Sequence, residues 1–321
     1  MTRPADAYIF YMGLKIRPVK KLFAYMWGGD VGEGTKLSRG AERRLEFIEF
    51  RLFWEGRVNR SDITTRFGVS VPQASNDLSR YQELAPANIQ YDSREKCYVP
   101  AGTFSPKFLK PNAGRYLAQL KGLADEVIDI DDTWIAELPA TGSIPIPSRR
   151  VEPSLLRALV SAMRRRRSLD IHYHSMSKDR PESMWRRITP HAFGFDGLRW
   201  HVRAYCGIRH QFRDFLLSRC LGVGDEGEPS AEPGADYNWV TRFNVVLVPN
   251  PMLSLAQQET IGVDYGMTDG RIVVPVRRAL LYYFNKRLRL DVAKHLDRPE
   301  ETPVVVENRE DYDNVLAEVT A

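Results

Sequence analysis

At 321 residues, 43% of them hydrophobic, the chain is too long for one small core and suits two or three domains. Its three cysteines, Cys97, Cys206 and Cys220, share no paired spacing and make a poor disulfide framework, which favours a reducing cytoplasm. The net charge of +5 is unevenly spread, with +10 in residues 149–219 and −7 in residues 220–321, and no stretch reaches the roughly 20 apolar residues a membrane span needs.

Residues 1–40 have weak periodicity and end in "GGDVGEGTKLSRG", the pattern of a flexible N-terminal extension. The early apolar run "YIFYMG" is cut short by Lys15 and lacks a following cleavage site, so no secretory leader is expected.

From Ala41 the pattern turns helical. Leu45, Ile48, Leu52 and Phe53 recur at helical spacing, and Gly56 stands where a C-cap belongs. Ser61 precedes "DITTRF" as the N-cap of a short second helix closed by Gly68. Ser70 caps a third helix with Pro72 in its first turn, where a missing N–H costs nothing. On that helix Ala74, Leu78 and Tyr81 face inward, which turns Gln73, Asn76, Asp77 and Arg80 outward. In "NIQYDSREKCYVP" two alternating runs flank a turn at Asp92–Glu95, a β-hairpin.

Three helices, with a tight "GVSV" link between the second and third, followed by a hairpin describe a winged helix-turn-helix over residues 41–100. The third helix exposes Ser70, Gln73, Ser75, Asn76, Ser79 and Arg80, and amide and guanidinium groups are the ones that pair bidentately with base edges in a major groove. Arg57, Arg60, Arg66, Arg94 and Lys96 surround it as candidate phosphate contacts. The zero net charge of this segment demands local patches, and a helical module that contacts protein is the competing reading.

Residues 101–150 read as a connector, with a helix near Ala113–Glu126 and then the Pro-rich "LPATGSIPIPSRR". The helix "EPSLLRALVSAMRRRR" follows, its arginine run suited to a solvated C-terminal turn. Strands at "SLDIHYHS", "RRITPHAFGFDG", "LRWHVRAYCG" and "QFRDFLLSRC" then make a compact, bent sheet over residues 151–222. Alternation sets Arg199, His201, Arg203 and Tyr205 on one face of their strand, and groups Arg213, Phe215, Leu217 and Arg219 on the next. Two strands are thus expected to offer arginines to one shared surface, and the large Trp200 to join the core. His172 and His174 form an H-x-H, but no partner ligands accompany them, so neither metal nor cofactor is expected.

The blocks at Tyr173, "TPH" ending in His191, Trp200-His201-Val202, "RAY" at Arg203 to Tyr205, Arg213 and Arg219 resemble the WYL domain of bacterial regulators, an SH3- or Sm-like β-barrel that follows a winged helix. His201 departs from the namesake tyrosine. The order of domains is similar to that of homodimeric transcriptional repressors beside phage-defence operons of the BREX and CBASS type. That resemblance implies a sensing site for a nucleotide or nucleic-acid ligand at Tyr173, His191, Trp200, His201, Arg203, Tyr205, Arg213 and Arg219, occupancy of which alters DNA binding. The +10 charge suits an anionic ligand.

Residues 223–238 read as an acidic linker, and residues 239–321 as a small α+β extension whose acidity favours dimerisation over DNA contact. A two-fold dimer implies an inverted-repeat operator. The expectation is therefore an α+β multidomain, cytoplasmic, ligand-responsive repressor without enzymatic activity and without a membrane partner. Two alternatives stay open, a nucleic-acid-processing enzyme using the His- and Arg-rich central domain and a ligand-binding adaptor whose winged helix contacts protein.

Overall fold

A computed structural model describes residues 37–147, 149–176, 182–293 and 298–320. The N-terminal extension read at residues 1–40 lies outside the described residues up to 36. The chain divides into two compact units, residues 1–145 and 146–321, each taken by itself below.

In the first unit α1 runs Arg39–Glu55, opened by the Ser38 hydroxyl accepting from the Ala41 N–H and closed by Gly56 at φ 71°. Only glycine adopts that left-handed cap without steric cost. α2 (Arg60–Phe67) starts two residues earlier than read. Asn59 is its N-cap, and the Asn59 N–H donates to Asp62 at 2.6 Å, so Ser61 already lies inside the helix. α3 (Val71–Leu84) begins at Ser70, which accepts from the Gln73 N–H, with Pro72 in the first turn as expected. β1 (Ile89–Asp92) and β2 (Cys97–Pro100) pair antiparallel as the wing.

α1 is buried on two sides because the connector folds back onto it. Trp134 packs edge-on against both Phe47 and Phe50 at 5.7 Å, and Tyr116 of α4 (Ala113–Ala124) stacks on Trp54 at 4.4 Å. The other side meets Ile63, Ala74, Leu78 and Tyr81 of the helix-turn-helix. A buried carboxylate fastens this arrangement. Glu49 accepts from the Tyr81 hydroxyl at 2.9 Å and from the backbone N–H groups of Lys107, Phe108 and Leu109 at 2.6–2.9 Å. Stranding those donors costs about 1–3 kcal/mol each, which makes the start of the connector part of the winged-helix core.

The second unit opens with α5 (Pro153–Arg165), whose Leu155, Leu159 and Ala162 lie buried against a five-stranded antiparallel sheet. Its strands are β3 (Ser168–His174), β4 (Ser183–Phe195), β5 (Trp200–Cys206), β6 (Gln211–Leu216) and β7 (Cys220–Gly227), in the order β6-β5-β4-β3-β7. The sheet is open, where the sequence reading expects a closed barrel. After Leu216 the chain turns through Leu217–Arg219 and crosses to pair with β3, which leaves β6 and β7 as the two edges.

β7 also occupies the first residues of the expected acidic linker. The acidity there has a local purpose: Arg165 and Arg167 pair with Glu226 and Glu228, and Arg166 lies 3.8 Å from Glu232. The basic run at the end of α5 is thus partly neutralised by the end of β7 and the segment that follows it.

Beyond α6 (Tyr237–Val240), a three-stranded sheet of order β10-β8-β9 is built from β8 (Arg242–Pro249), β9 (Ile272–Arg277) and β10 (Val304–Val306). α7 (Leu255–Asp264) follows β8, and α8 (Leu281–Arg287) and α9 (Arg309–Thr320) complete the extension. Val245, Leu247, Leu281 and Tyr312 form its core, with the Tyr312 hydroxyl donating to Asn285 at 3.0 Å. Among the described residues no helix is long and apolar enough to cross a membrane.

Candidate nucleic-acid interface and sensing domain

Ala74, Leu78 and Tyr81 anchor α3 by burial, and each large apolar side chain so buried contributes about 1.5–3 kcal/mol. Asn76 and Ser79 are exposed, with Gln73, Ser75 and Arg80 half-buried beside them. Asp77 is a correction: expected to face outward, it is 2% exposed. Arg44 of α1 holds it with a fork of two hydrogen bonds, at 2.6 and 3.1 Å, and the Gln73 amide donates to it at 3.1 Å. A pairing across 33 residues turns the carboxylate inward and steadies Gln73 at the surface.

The candidate phosphate contacts divide. Arg57 pairs with Glu137 and Arg66 donates to the Asp131 carbonyl, so both bind the connector. Arg60 and Lys96 line one cleft of about 440 Å³ together with Asn59, Ser61, Ser75, Ser79, Tyr91 and Tyr98. Arg94 is exposed at the tip of the hairpin, where its N–H donates to Asp92. The sequence reading missed Asn59, Ser61 and the two tyrosines. Tyr91 stands two residues after the buried Ile89 on the same strand face, so alternation gave no signal of its exposure.

In the second unit the predicted ligand residues do not share a surface. Antiparallel register sets Arg203 opposite Asp214 and Ala204 opposite Arg213. Partners across a ladder project to the same face, so Arg203 and Arg213 point to opposite sides of the sheet. Ala204 is fully buried under α5, whereas Arg213 stands exposed further along that same face.

On the α5 side, Tyr173 meets Phe215 edge-on at 5.1 Å and its hydroxyl accepts from the Leu216 N–H at 3.3 Å, with Arg219 close enough to act on it electrostatically. Burial pushes the Tyr173 hydroxyl pKa up, and that of the nearby Cys220 thiol up to about 12. Arg186, which the sequence reading passed over, lies across both rings, 5.3 Å from Tyr173 and 5.9 Å from Phe215. It is 8% exposed, has no ion pair among the described residues, and its Nε lacks a hydrogen-bond partner. A buried guanidinium without a carboxylate is costly unless something else satisfies it.

Trp200 corrects the expectation of a core residue. It is 53% exposed at the start of β5, where it pairs with Phe195, and their rings lie 4.9 Å apart beyond the cover of α5.

The opposite face is closed by the chain itself. Asp236, from the segment read as linker, is 1% exposed. It receives the Arg203 fork at 2.7 and 3.0 Å, lies 2.9 Å from His191 Nε2, and caps α6 by accepting from the Trp239 N–H. Burial alone raises the Asp236 carboxyl, but His191 and Arg203 outweigh it and hold it at about 2. Arg203 also reaches Asp214, whose other oxygen accepts from the Tyr283 hydroxyl of α8 at 3.1 Å. The His201 ring packs at a tilt against the Tyr283 ring, 4.8 Å away, and lies 3.0 Å from Asp196. Tyr205 packs against Phe212, which also meets the His191 ring. His191, His201 and Arg203 therefore join the sheet to the extension, each already holding one of the chain's own carboxylates.

Comparison with known proteins agrees with this division. Residues 40–122 match the winged helix-turn-helix domain of the BrxR transcriptional regulator, residues 154–223 match the WYL domain, and residues 242–312 match the C-terminal dimerization domain of the BrxR transcriptional regulator. The DNA-binding transcriptional repressor CapW of Stenotrophomonas maltophilia is 40% identical over 88% of this chain and 95% of that protein. The CapW repressors of Escherichia coli strain KTE188 and Pseudomonas aeruginosa are 36% and 38% identical, over 88% and 86% of this chain and 95% and 92% of theirs. The chain belongs to the BrxR/CapW family of WYL-domain transcriptional regulators with an N-terminal winged helix, a family of DNA-binding repressors and not of enzymes.

Proposed function

We propose that this chain is a homodimeric, cytoplasmic repressor that binds an inverted-repeat operator and autoregulates a phage-defence operon of the BREX or CBASS type. The observation that carries the reading is the surface of α3: Gln73, Asn76 and Arg80 project from a helix anchored on its other side, beside a cleft bearing Arg60 and Lys96. Amide and guanidinium groups on such a helix suit base edges, while the cleft suits the backbone. The match to a dimerization domain supports a two-fold protein and hence a two-fold operator.

A nucleotide or nucleic-acid ligand at the WYL domain modulates this binding. Arg186 supports the sensing side, as a buried cation with no carboxylate partner among the described residues, set against the rings of Tyr173 and Phe215. Of the expected ligand residues, Tyr173, Arg213, Arg219 and Trp200 remain candidates on this side, while Arg203 and His191 act through the extension. A gel-shift of the full chain with the intergenic DNA upstream of its gene tests the reading, repeated with mononucleotides and short single-stranded oligonucleotides. A complex that prefers that DNA and changes on adding one of these ligands is the expected result. No sequence preference at moderate salt overturns the operator, and no response to any of them overturns the sensing.

A further inference from the structure

We infer that the cleft between the start of α2, one edge of α3 and the wing seats a backbone phosphodiester of duplex DNA, and that it holds this group mainly with neutral hydroxyls. The inference rests on the DNA-binding reading above and divides the work of α3 between two strips. Ser75 and Ser79, one turn apart, line the cleft. Asn76 and Arg80, also one turn apart, occupy the next strip, rotated by about 100°. The serines thus belong to the backbone contact, and base reading falls to the longer side chains of the neighbouring strip.

Charge supports the same division. Residues 41–100 have zero net charge. Four of their eight arginines are committed: Arg44 to Asp77, Arg51 to Glu55, Arg57 to Glu137 and Arg66 to a carbonyl. Among the described residues, Arg60 and Lys96 are the cations that line the cleft. The remaining side-chain donors there are the Asn59 amide and five hydroxyls. Those of Ser61, Ser79, Tyr91 and Tyr98 have no hydrogen-bond partner among the described residues, while Ser75 donates to the Val71 carbonyl and needs a rotation to turn outward. A hydroxyl donating to a phosphate oxygen makes a charge-assisted bond, yet it neutralises no charge. Such a site binds phosphate with a shallower dependence on salt than one built of lysines and arginines, because counterion release follows the number of phosphates neutralised by cations.

The experiment measures affinity of the full chain for two duplexes, the upstream intergenic DNA and a random sequence of equal length, over a range of salt. The double variant Ser79→Ala, Tyr91→Phe removes two hydroxyls from exposed positions, and an unchanged unfolding midpoint confirms the fold. It is expected to bind both duplexes more weakly by the same factor, about ten- to a hundredfold, with its salt slope unchanged. Lys96→Gln is expected to lower the slope by about one for each winged helix. A double variant that binds like the unmodified chain, or that loses the preference for intergenic DNA while holding random DNA as before, overturns the cleft. An unmodified chain that binds neither duplex overturns the underlying reading and the cleft with it.

Discussion

Arg203 of β5 and Asp236, 33 positions later, form a fully buried fork in which one carboxylate meets the guanidinium, the His191 ring and the first turn of α6. A residue in a stretch composed like a linker thus ties the WYL sheet to the dimerization domain. Replacing Asp236 by Asn keeps the shape but removes the charge, and breaking a buried pair from one side costs about 3–5 kcal/mol. Thermal unfolding of the full chain is expected to show that loss, and an unchanged midpoint contradicts it.

The same residue sets an acid dependence. Its folded carboxyl, held at about 2, lies below the ordinary 3.8, so its contribution is fully present above pH 3.8 and disappears as the pH falls through 2. Unfolding midpoints compared between pH 5 and pH 2 are expected to converge for the Asp236→Asn variant and the unmodified chain at the acid end.

Glu46 of α1 gives a dependence of opposite sign. Burial raises its carboxyl to about 8, assisted by Glu49 and opposed by Arg43. A carboxyl raised on folding stabilises fully below its ordinary 4.5, and that contribution is lost as the pH rises through 8. Glu46→Gln, which mimics the neutral form, is expected to unfold at a higher temperature than the unmodified chain at pH 9, with the gap closing toward pH 5.

The sensing role proposed for Arg186 carries its own stability test. Substitution by Met removes a buried donor that has no partner among the described residues, and is expected to stabilise the ligand-free chain by about 1–3 kcal/mol, measured by chemical denaturation. The same variant is expected to lose the response of DNA binding to added single-stranded oligonucleotide. A destabilised variant that still responds contradicts both roles.

Local signals carried much of the fold. Gly56, Gly68, Ser70, Pro72 and the wing hairpin were legible because caps and turns depend on a few neighbouring residues. What escaped depends on partners far along the chain. Asp77 looks exposed on its helix until Arg44 turns it inward, and Asp236 looks like linker until Arg203 and His191 claim it. Alternation correctly placed residues within β5 but could not say that Arg213 lies across from Ala204, which is a matter of register. Trp200 followed the usual rule for large aromatics, and the end of the sheet lies beyond the helix that would have covered it.

The central claim, that α3 reads DNA bases, is tested most directly by competition of the upstream intergenic duplex against random duplex for the full chain and for a Gln73→Ala, Asn76→Ala, Arg80→Ala variant. The account predicts that the unmodified chain prefers the intergenic duplex and that the variant loses this preference while still binding random DNA, each specific bidentate contact being worth about 1–3 kcal/mol. A variant that keeps the full preference contradicts it.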